Sequence, residues 1–154
     1  LEILQKLLFE NDNFENDNKV QQDLRQDLKI FLQINLDPIE HRAGRGGIYP
    51  EDLPAFFEKI SRINFGQKLS DLIMGVMGVA PNPNTPITIH GLANSNNSLA
   101  KEAFEELARI SKEYANQGLI GPSISAGMSN DYQDAIAAGA THIRIGSSIL
   151  GPRS

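Results

Sequence analysis

The chain has 154 residues, 40% of them hydrophobic, which suits one globular domain spanning 1–154 and leaves little room for a second. Fourteen Lys and Arg against nineteen Asp and Glu give a net charge of −5, so nucleic acid and anionic membrane surfaces are not expected as partners, because both demand a basic face. Cysteine is absent, which removes disulfides, thiolate metal sites and cysteine nucleophiles, and no apolar run approaches the ~20 residues of a membrane span; a cytoplasmic protein is the expectation.

Leu1, Leu4, Leu7 and Leu8 recur at helical spacing, so a helix is already under way at the first residue. With no N-cap before it and no initiator Met, the chain is expected to begin partway through a longer gene product. Asn11 to Asn18 (NDNFENDN) reads as a solvated polar loop, and Val20, Leu24 and Leu28 as a short, mostly polar helix. Lys29 to Asn35 (KIFLQIN) is rich in β-branched and aromatic residues and is followed by Asp37-Pro38, which predicts a strand ending in a loop. The glycine-rich loop His41 to Gly47 (HRAGRGG) comes next. Pro50 sits where a helix would begin; Leu53, Phe56, Phe57, Ile60 and Ile63 mark its apolar face, and Gly66 ends it. Leu72 to Val79 (LIMGVMGV) is a continuous apolar run, as expected of a strand buried on both faces.

Pro81, Pro83 and Pro86 block regular structure between Ala80 and Ser98, where Ile87-Thr88-Ile89 reads as either a short strand or a loop. Leu99, Ala103, Phe104, Leu107, Ile110 and Tyr114 predict a strong helix stopped by Gly118. Ser123 to Ala126 is a short strand. Ser129 is placed to cap a helix over Asn130–Ala138, with Gly139 suited to its C-terminal stop, and His142 to Ile149 (HIRIGSSI) reads as the last strand. Short apolar strands alternating with helices are the signature of a parallel sheet in an α/β protein. Four such βα units are expected to be half of a (β/α)8 TIM-type barrel or a small open sheet, and no GxGxxG fingerprint follows any strand.

Chemistry concentrates between Ser123 and Ser148. Two consecutive strands each end in small residues: Ala126-Gly127-Met128-Ser129 after the first, and Gly146-Ser147-Ser148 after the second. Glycine admits close approach of the backbone, serine hydroxyls and free helix N-terminal N–H groups are donors, and a helix start carries roughly half a positive charge. In (β/α)8 barrels the loops after the last two strands commonly bind phosphate. Arg144, inside an apolar alternation, needs a partner, either an anion or a structural salt bridge. Asp131 and Asp134 read as dipole complements on a helix surface, Met74 and Met77 as core, and His142 as solvent-facing or packed at a strand start. Neither His41 nor His90 has metal-type spacing. Arg42 or Arg45 would add positive charge to the same rim, or belong to a plain surface loop.

These residues also carry a resemblance. SAGMSNDYQDAIAAGATHIRIGSSILG, from Ser125 to Gly151, is similar to the C-terminal signature of the pyridoxal phosphate homeostasis proteins, the YggS-like family. Gln33-Ile34-Asn35 resembles that family's Q-[IV]-N strand, and Gly75-Val76-Met77 with Val79-Ala80-Pro81 resembles its GLM strand. The resemblance implies a barrel like that of alanine racemase, fold-type III, binding pyridoxal 5′-phosphate and serving vitamin B6 homeostasis and amino-acid and keto-acid balance without an established turnover. It implies a phosphate held by Ser129, Arg144, Gly146 and Ser147, with Gly127 and Met128 beside them, and no catalytic or metal-binding residues.

The family's Schiff-base lysine lies in a V-S-K motif that this sequence lacks, as it lacks the FGEN and W-H-F-I-G pieces; its lysines are Lys6, Lys19, Lys29, Lys59, Lys68, Lys101 and Lys112. The family's K-x-G is matched to Arg42-Ala43-Gly44. The chain is therefore expected to be the C-terminal half of such a barrel, to bind the cofactor weakly and without a covalent bond, not to be an enzyme, and to self-associate through its exposed edges. Two other readings stand beside this one: a different phosphate-binding barrel enzyme, acting on a sugar phosphate or a flavin nucleotide, and an interaction module in which the segment packs an interface. No convergent acid–base pair marks the enzyme reading.

Overall fold

The computed structural model describes residues 28–38, 45–63, 68–82 and 96–151. The helix expected at Leu1–Leu8, the Asn11–Asn18 loop, the bulk of the next expected helix, His41, Arg42, Gly66, His90 and the Ile87–Ile89 segment lie outside the described residues. At the centre is a parallel sheet of three strands, β1 (Ile30–Ile34), β2 (Ile73–Gly78) and β3 (Ser123–Ser125), in that order across the sheet. Between and after them come α1 (Leu53–Ile60, led in by a 3-10 turn at Pro50–Asp52), α2 (Leu69–Leu72), α3 (Asn96–Asn116), α4 (Tyr132–Ala137) and α5 (Ser147–Leu150). The fold is thus α/β with a parallel sheet, as the alternation of periods predicts.

Strand alternation sorts the sheet into two faces. Leu32, Ile34, Val76 and Ile124 share one face and join the core, where Leu107, Phe104 and Ile110 of α3 and Leu53, Phe57 and Ile60 of α1 are buried. The spacing of Leu99, Ala103, Phe104, Leu107, Ile110 and Tyr114 makes one stripe of α3, and all six are buried. Phe57 stacks on Tyr114 with ring centroids 4.6 Å apart, locking α1 to α3.

The other face carries Phe31, Gln33, Gly75, Met77, Ser123 and Ser125, paired Phe31–Gly75–Ser123 and Gln33–Met77–Ser125 across the strands. Small residues in the first row let Phe31 reach over to the ring of His142, centroid to centroid 5.2 Å, edge to face. Gly75 is required there, because a Cβ at that position would lie 1.8 Å from the carbonyl oxygen of Ser123.

Three expectations need correction. The apolar run read as one strand, Leu72–Val79, opens with the helical turn α2, whose last residue is Leu72; the strand proper starts at Ile73. The helix after β3 starts at Tyr132 and not at Asn130, with Asp131 at the N-cap position in place of Ser129. The Asp131 carboxylate reaches back to accept the Met128 N–H at 2.6 Å, which closes the turn before the helix.

The expected strand His142–Ile149 shrinks to one parallel bridge between Ser125 and His142, and Ser147–Leu150 coils into α5 instead. The cause lies opposite it. Gly127 takes φ +89°, so β3 turns away one residue past Ala126 and the ladder loses its register. Gly139, with φ +100°, does end α4, as expected.

Candidate functional site

All polar groups of interest gather at the carboxyl ends of the strands. Past β1, Asn35 is 3% exposed; its Nδ2 donates to the Arg45 carbonyl at 3.0 Å and its Oδ1 accepts the Asp37 N–H at 3.0 Å. The returning chain is stitched to the same strand end, since Asn35 N–H donates to the Ile48 carbonyl at 2.9 Å and Ile48 N–H to Gln33 at 2.8 Å. This fixes the base of the Arg45 side chain. Its Nη1 donates to the carbonyls of Ala80, at 2.7 Å, and Val79, at 3.4 Å, just past β2, while its Nε lies 3.3 Å from the buried Asp37 carboxylate.

Arg144 makes the matching connection on the other side of β2. Its Nη1 donates to the Ser125 carbonyl at 2.9 Å and to Ser125 Oγ at 2.8 Å, and its Nη2 to the Gly78 carbonyl at 2.9 Å. The half-buried guanidinium therefore ties the carboxyl end of β3 to that of β2. Neither sequence reading foresaw these partners: among the described residues they are carbonyls and a hydroxyl, and no carboxylate pairs with Arg144. The Arg144 N–H also donates to the Gly127 carbonyl at 2.9 Å, which holds the two small-residue loops side by side.

Of the other expected site residues, Gly127 is buried, and a Cβ there would meet Tyr132 Cα and Ala135 Cβ at 2.8 Å, so its role is to let α4 pack close. Met128 is 40% exposed and Ser129 half-buried in the turn before α4. Gly146 accepts the N–H groups of Leu150, at 2.8 Å, and Ile149, at 3.0 Å, and a Cβ on it would meet nothing within 4 Å. Ser147 opens α5. The dipole argument loses weight here, because α4 is six residues long and the carboxylate of Asp131 already takes the Met128 N–H.

Residue-type reasoning offered Arg45 as a cation at this rim but missed Gly78, Ser125 and Asp37, the carboxylate beside Arg45. Alternation held a signal for Ser125, which shares a face with His142, its bridge partner. No comparable signal pointed to Gly78, which enters through its carbonyl alone.

Among the described residues, no lysine lies at this rim. Lys29 sits at the amino end of β1, with its ammonium on the carbonyl of Asp71, at the amino end of β2; Lys59, Lys68, Lys101 and Lys112 are on or before helices and exposed. No group of three His, Cys, Asp or Glu that could hold a metal ion occurs among the described residues. No helix among them is long and apolar enough to cross a membrane. A shallow groove between α1 and α3, floored by Phe57 and Tyr114 and edged by Glu58 and Glu113, shares no residue with the rim.

No family model matches the chain. It is 31% identical over 127 residues to the pyridoxal phosphate homeostasis protein of Vibrio cholerae serotype O1, covering 82% of this chain and 45% of that protein. It is 32% identical to the protein of the same name from Pseudomonas aeruginosa, with the same coverage, and 26% identical to the one from Schizosaccharomyces pombe, covering 88% of this chain and 50% of that one. The chain spans about half the length of these curated relatives. In three dimensions it resembles PipY of Synechococcus elongatus PCC7942, in a form without PLP (TM-score 0.59, 26% identity, 87% of this chain and 54% of that one) and a form with PLP bound (TM-score 0.56, 26% identity, 84% and 52%).

Proposed function

This chain is a relative of the pyridoxal phosphate homeostasis proteins, and on that premise we propose that it binds pyridoxal 5′-phosphate by its phosphate group at the carboxyl ends of its last strands, as a cofactor-handling protein and not a turnover enzyme. The observation that carries this reading is the Arg144 guanidinium, half-buried where two strands end and hydrogen-bonded to three acceptors that fix its plane. A guanidinium held in this way is a preorganised donor for a phosphate dianion. Ser129, Gly127, Met128, Gly146 and Ser147 border the same two loops and are proposed to complete the cup, with the open space at Gly146 admitting a ligand close to the backbone.

The fit is one-sided. The phosphate end would meet the Arg144 guanidinium. The aldehyde end meets no amine among the described residues, whose lysines lie at the opposite end of the strands or on helices. Bound pyridoxal phosphate would supply a reactive aldehyde on an electron-withdrawing ring; the described residues are proposed to grip and orient its phosphate and offer that aldehyde no lysine. Weak, noncovalent binding is the behaviour proposed.

The same geometry supports a half-barrel architecture for the single domain 1–154, four βα units of a (β/α)8 barrel. One sheet face is sealed by helices, whereas the other carries the rows Phe31–Gly75–Ser123 and Gln33–Met77–Ser125, suited to the inward face of a barrel. Met128, Ile136, Ile143, Ile149 and Leu150 are exposed apolar residues on or beside the last segment. They are suited to a second set of strands, and self-association through them and the sheet edges is the expected behaviour of the chain alone.

Titration of the protein with pyridoxal phosphate, with inorganic phosphate as competitor, tests the function. Saturable binding that phosphate displaces, and no lysine adduct by mass spectrometry after borohydride treatment, is the expected result. A stable lysine adduct overturns the noncovalent reading, and no binding at all overturns the function.

A further inference from the structure

Arg45 and Arg144 come from loops 99 residues apart in sequence yet anchor on the same strand end: Arg144 on the carbonyl of Gly78, Arg45 on those of Val79 and Ala80. Residues two apart in a chain are at most ~7 Å from one another, so both guanidiniums stand around one strand terminus. Arg45 is held on two sides, Nε by the Asp37 carboxylate and Nη1 by the carbonyls, while its Nη2 has no partner among the described residues. Arg144 is held through Nη1 and Nη2, and its Nε is likewise without one. Each arginine thus has its plane fixed and donors left over. Of the two, Arg45 already has a carboxylate beside it, Asp37, whereas Arg144 has none among the described residues.

We infer that Arg45 is a second ligand-binding residue, forming with Arg144 a two-guanidinium clamp at the carboxyl end of β2 for the phosphate monoester dianion. The inference rests on the pyridoxal phosphate reading above and adds a residue and a selectivity to it. Two fixed guanidiniums favour a dianion over a monoanion and over the same ring without its phosphate, because each adds a charge-assisted hydrogen bond that a neutral ligand cannot accept as strongly. Arg45 also reaches the site from the loop after β1, which neither small-residue loop provides. A ligand gripped by both arginines is held across β1, β2 and β3 together.

The test compares three ligands, pyridoxal phosphate, pyridoxal and inorganic phosphate, on the unmodified chain and on Arg45→Met, Arg45→Lys and Arg144→Met, each checked for folding by circular dichroism. For Arg45→Met the expected result is a loss of at least about tenfold in affinity for pyridoxal phosphate and for phosphate, with pyridoxal binding unchanged and Arg45→Lys recovering most of the loss. A merely structural brace would weaken all three ligands alike and would not be rescued by lysine.

On the unmodified protein, phosphate is expected to shift two arginine Nε–H resonances in 1H–15N spectra, a readout that holds even where a variant does not fold. One shifting resonance, or an Arg45→Met affinity within twofold of the original while Arg144→Met loses binding, overturns the clamp and leaves the function standing. No binding by the unmodified chain, or unchanged binding in Arg144→Met, overturns the function itself.

Discussion

The two faces of the sheet are held by different physics. On the helix side, Ile34, Val76 and Ile124 meet Phe104, Leu107 and Ile110 in a close-packed apolar core, where stability comes from area removed from water and from the absence of voids. On the other side, Gln33, Met77 and Arg144 remain half-exposed, and the contacts that organise them are directional: a ring edge on a ring face, a guanidinium on carbonyls. The first face tolerates imperfect direction but no lost volume. The second tolerates exposure, but each donor must keep its acceptor. The difference explains why a protein of this size can hold a rigid site on an incompletely covered sheet: the core fixes the strands, and the strand ends fix the arginines.

The largest effect is expected where the two faces share a backbone constraint. Gly75→Ala forces a methyl group to within 1.8 Å of the Ser123 carbonyl oxygen, so β2 and β3 must separate, at a cost of at least about 3 kcal/mol; urea denaturation should find the variant unfolded or close to it. A variant as stable as the parent would mean that the two strands are not so closely apposed.

Leu107→Ala comes next. Leu107 is fully buried, and its truncation is expected to remove about 2–5 kcal/mol of unfolding free energy while leaving phosphate affinity per folded molecule unchanged. If affinity falls in step with stability, the separation of core from rim is wrong.

Asp131→Asn sharpens the rim side. The amide oxygen can still accept the Met128 N–H, so stability should stay within about 1 kcal/mol, while loss of a negative charge beside the proposed cup should raise phosphate affinity by up to about fivefold by calorimetry. A fall in affinity would show that the carboxylate positions the loop in a way an amide does not reproduce.

The smallest effect is expected on the outer surface of α3. The carboxylates of Glu106 and Glu113, at 2.7 and 2.8 Å, hold the Arg109 guanidinium above its ordinary pKa. Arg109 is 59% exposed, however, and Arg109→Ala should change stability by no more than about 0.5 kcal/mol, with the difference vanishing at high salt. A larger effect would mean that surface charge contributes to a fold otherwise held by its core.

Much of this was legible in residue order. The apolar stripe of α3 could be read directly because a period of 3.6 over six buried positions has no competing explanation. The strands β1, β2 and β3 were legible as a β-branched and aromatic run, a continuous apolar run and a short strand before the small-residue loop, each within a residue of its observed start. What misled was chemistry that depends on what lies opposite. HIRIGSSI alternates well enough to be a strand, yet its ladder has a single bridge, at His142, because Gly127 on the neighbouring segment breaks the register and the Arg144 N–H bonds to the Gly127 carbonyl out of step. Ser129 has the right type for a cap, but the helix begins at Tyr132, with Asp131 at the N-cap position and its carboxylate accepting the Met128 N–H.

The identity and period of the side chains alone determined the α/β class, the parallel sheet and the crowding of small residues and one arginine near the C-terminus, since each follows from local preference and burial pattern. Only the tertiary structure decided that Arg144 answers to Gly78 and Ser125, that Arg45 reaches the carbonyls of Val79 and Ala80 past β2, and that no described lysine shares their rim. Those facts depend on which carbonyls the fold brings within 3 Å of a long side chain, and a main-chain carbonyl leaves no mark in a sequence because every residue carries one.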